Sequence, residues 1–329
     1  MKMNNYIDSF ADHLEEALSI GEKMSFNKPD KEIKNVLICG LGGSGIGGSI
    51  CMDIIKDEIA VPVISSKDYS VPCFVNSNTL VIVSSYSGNT EETLSALKKC
   101  EIKNAEICII TSGGELKKIA EKNNYNHIII PGGNPPRAMF GYSFTQLFFV
   151  LNYYNLIAAD FKFHFQKAVL LINVEKKEIK KLALNIAEKL FSNTPIVYVA
   201  DGFEGVATRL RQQINENSKM LCWHHVVPEM NHNEVLGWKT NIENLAVIFL
   251  RNKCDYNRNK IRIDITKDII KSYTNNITEV WSKGDSLIEN TLYHINFGDW
   301  VSWYLSEMNC VDATEIDVIN HLKSELKKV

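Results

Sequence analysis

The chain has 329 residues, room for two domains at about 100–200 residues each. Hydrophobic residues make up 45% and charged residues 23%, which is normal for a soluble globular protein. Lys plus Arg number 36 against 39 Asp plus Glu, a formal net charge of −3, and that balance predicts neither nucleic acid nor an anionic membrane as a partner.

In chain order, Tyr6, Phe10, Leu14, Ala17 and Leu18 fall on one helical face and Asp12, Glu15 and Glu16 on another, which predicts an amphipathic opening helix. Val36-Leu37-Ile38-Cys39 reads as the first strand. It runs into the Gly-rich segment from Gly40 to Gly48, followed by a helix to about Lys56. Further strands are predicted at Val61–Ile64, Leu80–Val83, Glu106–Ile110 and His127–Ile130, with helical patterns between most of them. Such alternation points to a parallel sheet with helices on both faces. Ligands in these sheets bind outside the carboxyl ends of the strands, where both the Gly-rich segment and the next loop fall.

That next loop, Ser84-Ser85-Tyr86-Ser87-Gly88-Asn89-Thr90, opens onto a helix. Asn89 with Glu92 fits a capping box and places the helix start near Thr90. The unpaired N–H groups and positive dipole end of that helix, with the hydroxyls of Ser85, Ser87 and Thr90, suit a phosphate monoester. The loop lacks the Lys of a nucleotide-binding P-loop and so reads as a sugar-phosphate cradle; an ordinary polar cap is the plainer account. Gly40-x-Gly42-x-x-Gly45 also satisfies the dinucleotide fingerprint. The acid that should bind the ribose is missing, however: the second strand ends in Ser65-Ser66-Lys67, and Asp68 comes late.

Pro131 to Gly141 is a Pro- and Gly-rich loop whose only charge is Arg137, which suits an anionic substrate unless it is a surface Arg. Helices are predicted from Ser143 to about Ile157 and from about Lys162 to Phe191, then strands at Pro195–Ala200, Lys219–Trp223, Leu245–Leu250 and Ile277–Trp281. Thr208 to Lys219 reads as a polar helix with Glu216 near its C-terminus. The dipole there opposes negative charge, which suits a proton shuttle; a solvated helix-end Glu is the plainer account. His232 lies in a loop between Glu229 and Glu234. His224 and His225 raise the question of a metal, but neighbouring strand residues point to opposite faces, and no Pro-Cys-x-x-Cys follows His232-x-Glu234. No metal is expected.

The 8 Cys contain no C-x-x-C pair, so a reducing cytoplasm without disulfides is expected. No signal peptide is evident at the N-terminus. The most apolar stretch, Phe144 to Ala159, contains Gln146, Asn152 and Asn155 and is too short and polar to span a bilayer.

Taken together, Leu41 to Gly48, Ser85 to Glu92, Pro136-Arg137, Gln213 to Asn217, Asn231-His-Asn-Glu234 and Gly298-Asp-Trp300 with Tyr304-Leu305 form an ordered set. On these motifs the sequence resembles the bifunctional phosphoglucose/phosphomannose isomerases, a branch of the sugar isomerase (SIS) superfamily, from about Val36 to the C-terminal helix. The resemblance implies an α/β fold of two SIS domains, residues 1–158 and 159–329, each a parallel five-stranded sheet in an α-β-α sandwich. It implies a homodimer and a small-molecule sugar-phosphate substrate, with no metal or redox cofactor. It implies that Gly43, Ser44, Ser85, Ser87 and Thr90 bind the phosphate, that Arg137 stabilises the anionic intermediate, and that Glu216 is the base. His232, reaching in from the partner subunit, would open the sugar ring with help from Lys323, although the flanking Lys327 and Lys328 leave the choice of Lys open. Asp312-Ala313-Thr314 looks like the family's Asp-Pro-Thr, with Ala for Pro. The implied activity is interconversion of glucose 6-phosphate and mannose 6-phosphate with fructose 6-phosphate through a cis-enediol. A non-catalytic SIS module that senses sugar phosphates would keep the cradle but has no use for Glu216 and His232. The isomerase half of a glucosamine 6-phosphate synthase is disfavoured by the lack of a glutaminase domain.

Overall fold

The computed structural model describes residues 2–27, 31–240 and 244–328. In the first half, helices α1 (Met3–Asp8) and α2 (Phe10–Glu22) precede β1 (Asn35–Cys39), α3 (Gly42–Ile55), β2 (Val63–Ser66) and β3 (Thr79–Ser84). Then come α4 (Glu91–Ile102), β4 (Glu106–Thr111), α5 (Gly114–Asn123), β5 (Asn126–Ile129) and α6 (Phe140–Tyr153). The second half holds α7 (Phe161–Leu190), β6 (Thr194–Ala200), α8 (Glu204–Ser218), β7 (Trp223–Val227), β8 (Leu245–Arg251), α9 (Asn257–Ile270) and β9 (Ile277–Trp281). It closes with α10 (Leu287–Met308) and α11 (Asp317–Leu326).

The strands form two all-parallel sheets, in the orders β2-β1-β3-β4-β5 and β7-β6-β8-β9. Central strands are buried on both faces, which is why β1, β3, β6 and β8 read as unbroken apolar runs. Among the described residues the second sheet has four strands, one fewer than the resemblance implies. The expected opening helix is broken at Ser9 into α1 and α2. The strand expected at Lys219–Trp223 lies further on, at Trp223–Val227. Lys219 ends α8 in the left-handed region, φ 58°, so extended pairing starts only after the chain has turned.

Alternation along the strands divides the interior. Val36, Ile38, Leu80 and Ile82 of the first sheet and Val197, Val199, Ile248 and Leu250 of the second face one continuous apolar core that includes α3, α6, α7, α8 and α10. Leu37, Val81 and Val83 face α4 and α5, while Tyr198, Val247 and Phe249 face α9 and Trp238. Within the shared core α3 and α8 run antiparallel. Gly205 at the start of α8 lies against Ile50 so closely that a Cβ would come 2.6 Å from its Cγ1, and its N–H donates to Asp53 Oδ2 at 3.0 Å. The N-terminus of α3 is thereby brought to the C-terminus of α8.

Candidate active site

The carboxyl ends of β1 and β3 deliver two loops side by side. Ser44, in the first turn of α3, accepts a hydrogen bond from Tyr86 N at 3.1 Å, which ties the Gly-rich loop to the Ser-rich one. Ser85 Oγ lies 2.8 Å from Thr90 Oγ1, and Asn89 N donates to Ser87 Oγ at 3.3 Å. Gly88 has φ +68°, and a Cβ there would meet Gly113 O at 1.9 Å, so only glycine fits. The expected capping box is not formed. Thr90 is the N-cap of α4 without a side-chain cap bond, and Asn89 Oδ1 instead accepts from Glu115 N at 2.9 Å at the start of α5. The first turns of α3 and α4 both lack a side-chain cap, so their N–H groups and dipoles, with four hydroxyls, can serve an anion.

Arg137 sits in the 3-10 turn Pro136–Met139, held near the cradle because Gly43 has no side chain: a Cβ there would lie 3.3 Å from Arg137 Cα. It is 5% exposed, so it is not a surface Arg. Its Nε donates to Asn217 Oδ1 at 2.7 Å, its Nη2 to Ala313 O, and its Nη1 lies 3.4 Å from Glu216 Oε2. Burial pushes the guanidinium below its ordinary value, and Glu216 and Asp312 pull it back. Glu216 lies in the last turn of α8, as expected, with about 30% of its side chain exposed. The guanidinium supplies the positive charge that a carboxylate at this end of a helix needs.

Behind this pair is a network that sequence reasoning left without a role. Arg209 Nη2 donates to Arg137 O at 3.2 Å and to both oxygens of Asp299, at 2.8 and 3.0 Å, while Gln213 Nε2 donates to Asp299 Oδ1 at 2.8 Å. Asp299 belongs to the Gly298-Asp-Trp300 motif, and a lone Asp in the buried face of α10 was the available signal. Asn217 and Lys219, beside Glu216, were also missed as partners.

His232 stands elsewhere. It ends the 3-10 turn Glu229–His232, exposed, beyond the carboxyl end of β7. Because α8 runs antiparallel to the strands, Glu216 lies at the amino end of β7. At about 3.3 Å per residue the length of β7 alone separates them by about 13 Å. The structure does not bring the two together within one chain. The His232 loop is anchored by Glu234, which accepts from Tyr198 Oη at 2.6 Å and Trp223 Nε1 at 3.3 Å. Lys323 lies on α11, which has no buried residue; Val318 and Ile319, in its first turn, line an apolar cleft of about 380 Å³ that also borders Glu216 and Lys219. No cradle residue and not Arg137 lines that cleft, so it is distinct from the sugar-phosphate cradle.

His224 and His225 point to opposite faces of β7, as expected. His224 Nε2 lies 3.0 Å from Thr208 Oγ1, and His225 Nε2 lies 4.0 Å from Glu234 Oε2. Burial and the nearby Arg211 push His224 down to about 4. Among the described residues no group of three or more His, Cys, Asp or Glu could hold a metal ion. At the end of β2, where a ribose-binding acid would stand, Lys67 Nζ donates to Ser49 Oγ at 2.9 Å. Among the described residues no helix is long and apolar enough to cross a membrane.

Residues 32–154 match the SIS domain family, and residues 179–326 match the bacterial phospho-glucose isomerase C-terminal SIS domain. The chain is 39% identical over 328 residues to a bifunctional phosphoglucose/phosphomannose isomerase of Caldicellulosiruptor bescii, covering 97% of each chain. It is 33% identical to one of Aquifex aeolicus, covering 90% of this chain and 91% of that one. Its fold is similar to the C-terminal domain of glucosamine-fructose-6-phosphate aminotransferase from Francisella tularensis, with TM-score 0.79, 12% identity, and 95% of this chain and 98% of that one covered. Two SIS matches in tandem, and relatives aligned along nearly the whole length, show that the chain belongs to the bifunctional phosphoglucose/phosphomannose isomerase family.

Proposed function

We infer that the chain is an aldose–ketose isomerase interconverting glucose 6-phosphate and mannose 6-phosphate with fructose 6-phosphate through a cis-enediol. The observation that carries this reading is the Arg137–Glu216 pair at 3.4 Å, set beside Gly43 at the lip of the cradle. The phosphate would take the hydroxyls of Ser44, Ser85, Ser87 and Thr90 and the N-termini of α3 and α4. Glu216 would remove the proton from C2 of the aldose and return it to C1. Arg137 would offset the charge that develops on the enediol oxygens. The two aldoses differ only at C2 and share one ketose, so one base serves both if the intermediate turns about C2–C3. A sensing module needs no such buried pair.

His232 and Lys323 are assigned to ring opening. Since His232 and Glu216 lie at opposite ends of β7, His232 is assigned to the partner's site in a homodimer. The two SIS domains are divided at 158/159, next to the start of α7. All eight cysteines are free, which fits a reducing cytoplasm. A coupled assay of the purified protein on each sugar phosphate, with and without EDTA, tests the reading. Turnover of both substrates that survives the chelator is expected. Absence of turnover removes the isomerase, and loss that a divalent ion restores removes the metal-free mechanism.

A further inference from the structure

Lys219 is a non-glycine residue in the left-handed region, at a helix end where glycine is the common choice. At this position the long side chain makes a defined set of contacts. Lys219 Nζ donates to Glu216 O at 2.6 Å, to Glu315 O at 2.9 Å and to Asp312 O at 3.0 Å. All three ammonium protons are thus spent on backbone carbonyls. One acceptor belongs to the residue assigned as the base; the other two flank the turn that leads into α11. Between them Ala313 O accepts from Arg137 Nη2. The turn is stiffened from inside as well, since Asp312 Oδ1 accepts from Thr314 N and Thr314 Oγ1, both at 2.7 Å. Burial and the neighbouring Arg137 both push the Lys219 ammonium below its ordinary value, as expected of a cation held beside another cation.

We propose that Lys219 is a positioning residue for isomerisation: its ammonium binds the turn 312–315 to the end of α8 and thereby fixes Glu216 and Arg137 relative to each other. The proposal rests on the site described under Proposed function. It assigns Lys219 no contact with substrate, because the three carbonyls already take its donors. It also gives the Asp312-Ala313-Thr314 segment a task that needs its backbone rather than its side chains, so that Ala in place of Pro is compatible with it.

The test is Lys219→Gly, which suits the left-handed backbone and removes the ammonium together with its four-carbon stem. Displacement of a catalytic pair by about an ångström costs up to about 10²-fold, so kcat should fall about 10- to 100-fold. The cradle is untouched, so KM should change less than about threefold. Methylammonium added to the variant should restore part of kcat, and amide hydrogen exchange should accelerate in residues 313–320 but not in α3 or α4. A kcat within about twofold of the parent, or a loss that methylammonium leaves unchanged and that accompanies accelerated exchange throughout the chain, overturns the proposal. Absence of isomerase activity in the parent protein would instead remove the site reading, and the exchange pattern alone would then decide the clamp.

Discussion

The two sheets share the order of their first four strands, so the loop after β3 and the loop after β8 occupy equivalent places. They have opposite characters. From Ser84 to Thr90 the loop carries hydroxyls and no charged side chain, and it ends at a helix without a side-chain cap. The loop after β8 satisfies itself: Asp255 Oδ2 accepts from Asn252 N at 2.9 Å, Asp255 Oδ1 from Asn252 Nδ2 at 3.2 Å, and His294 Nε2 lies 3.1 Å from Asn252 Oδ1. Arg251, fully buried at the strand end, is taken by Asp264 and Glu279 and stacks on Trp281. A carboxylate from the chain stands where the first loop offers donors to an anion. One fold therefore yields a loop with open donors in one copy and a loop that satisfies its own polar groups in the other. The second domain reaches Arg137 from the opposite end of its strands, through Glu216 at the C-terminus of α8.

The largest expected effect separates the two ends of the second sheet's strands. Glu216→Gln keeps the shape and removes the base, so isomerisation and solvent-deuterium exchange at C2 should fall together by about 10²–10⁴-fold, read by NMR. His232→Ala should impair cyclic glucose 6-phosphate strongly and largely spare exchange on an open-chain analogue. If the two residues meet only across a two-fold axis, refolding the inactive variants together should recover up to about a quarter of the parent activity. No recovery would return His232 to its own chain's site and undo the division between the two ends.

Next in size is the contrast between the loops themselves. Thr90→Ala removes a hydroxyl offered to a charged acceptor, worth about 1.5–3 kcal/mol, so KM should rise about ten- to a hundredfold for both aldoses alike. Asp255→Ala should leave KM within about twofold and instead lower the urea midpoint, because Asn252 N loses its acceptor. A KM effect at Asp255 equal to that at Thr90 would show that the second loop also meets substrate.

The smallest effect concerns Asp53, the carboxylate of the first half that receives the N-terminus of α8. Burial raises it to about 6 from an ordinary value of 3.8, against the pull of Gly205 N–H and Lys56. Because the folded value is the higher one, the folded state binds the proton more tightly. Its contribution to stability grows as pH falls through about 6 and is complete below about 4. Relative to Asp53→Asn, the parent should gain of the order of 1–3 kcal/mol between pH 7 and pH 4 in urea unfolding. A difference that is flat or of opposite sign would mean that Asp53 is better solvated than its contacts imply.

How far the sequence could be read depended on whether a feature was local. β1, β3, β4, β6 and β8 were legible because burial on both faces produces apolar runs. The Gly-rich and Ser-rich loops were legible because strand–loop–helix punctuation is local. The capping box failed for a tertiary reason: Asn89 meets the start of α5, which its own neighbours do not announce. The apolar Met220-Leu221-Cys222 run imitated a strand, yet Leu221 is 85% exposed and the chain is still turning after Lys219. Arg137 and Glu216 were joined only by the resemblance. What brings them together physically is the antiparallel docking of α3 on α8, made close by Gly205, whose role appears only when the two helices touch. Asp299 carried a local signal, a charge in an apolar helix, but its partner Arg209 lies on another element.

The single apolar core beneath both sheets has a consequence for motion. Enzymes with two lobes often enclose substrate by bending at a linker between separate interiors. Here β1 and β6 face the same apolar cluster, with α3 and α8 packed between them. A hinge between the sheets would have to open that cluster at the contact between α3 and α8, the helices that carry Ser44 and Glu216. On the proposed isomerase reading, enclosure of a sugar phosphate falls to the periphery, to the exposed helix α11, rather than to a bend between the two sheets.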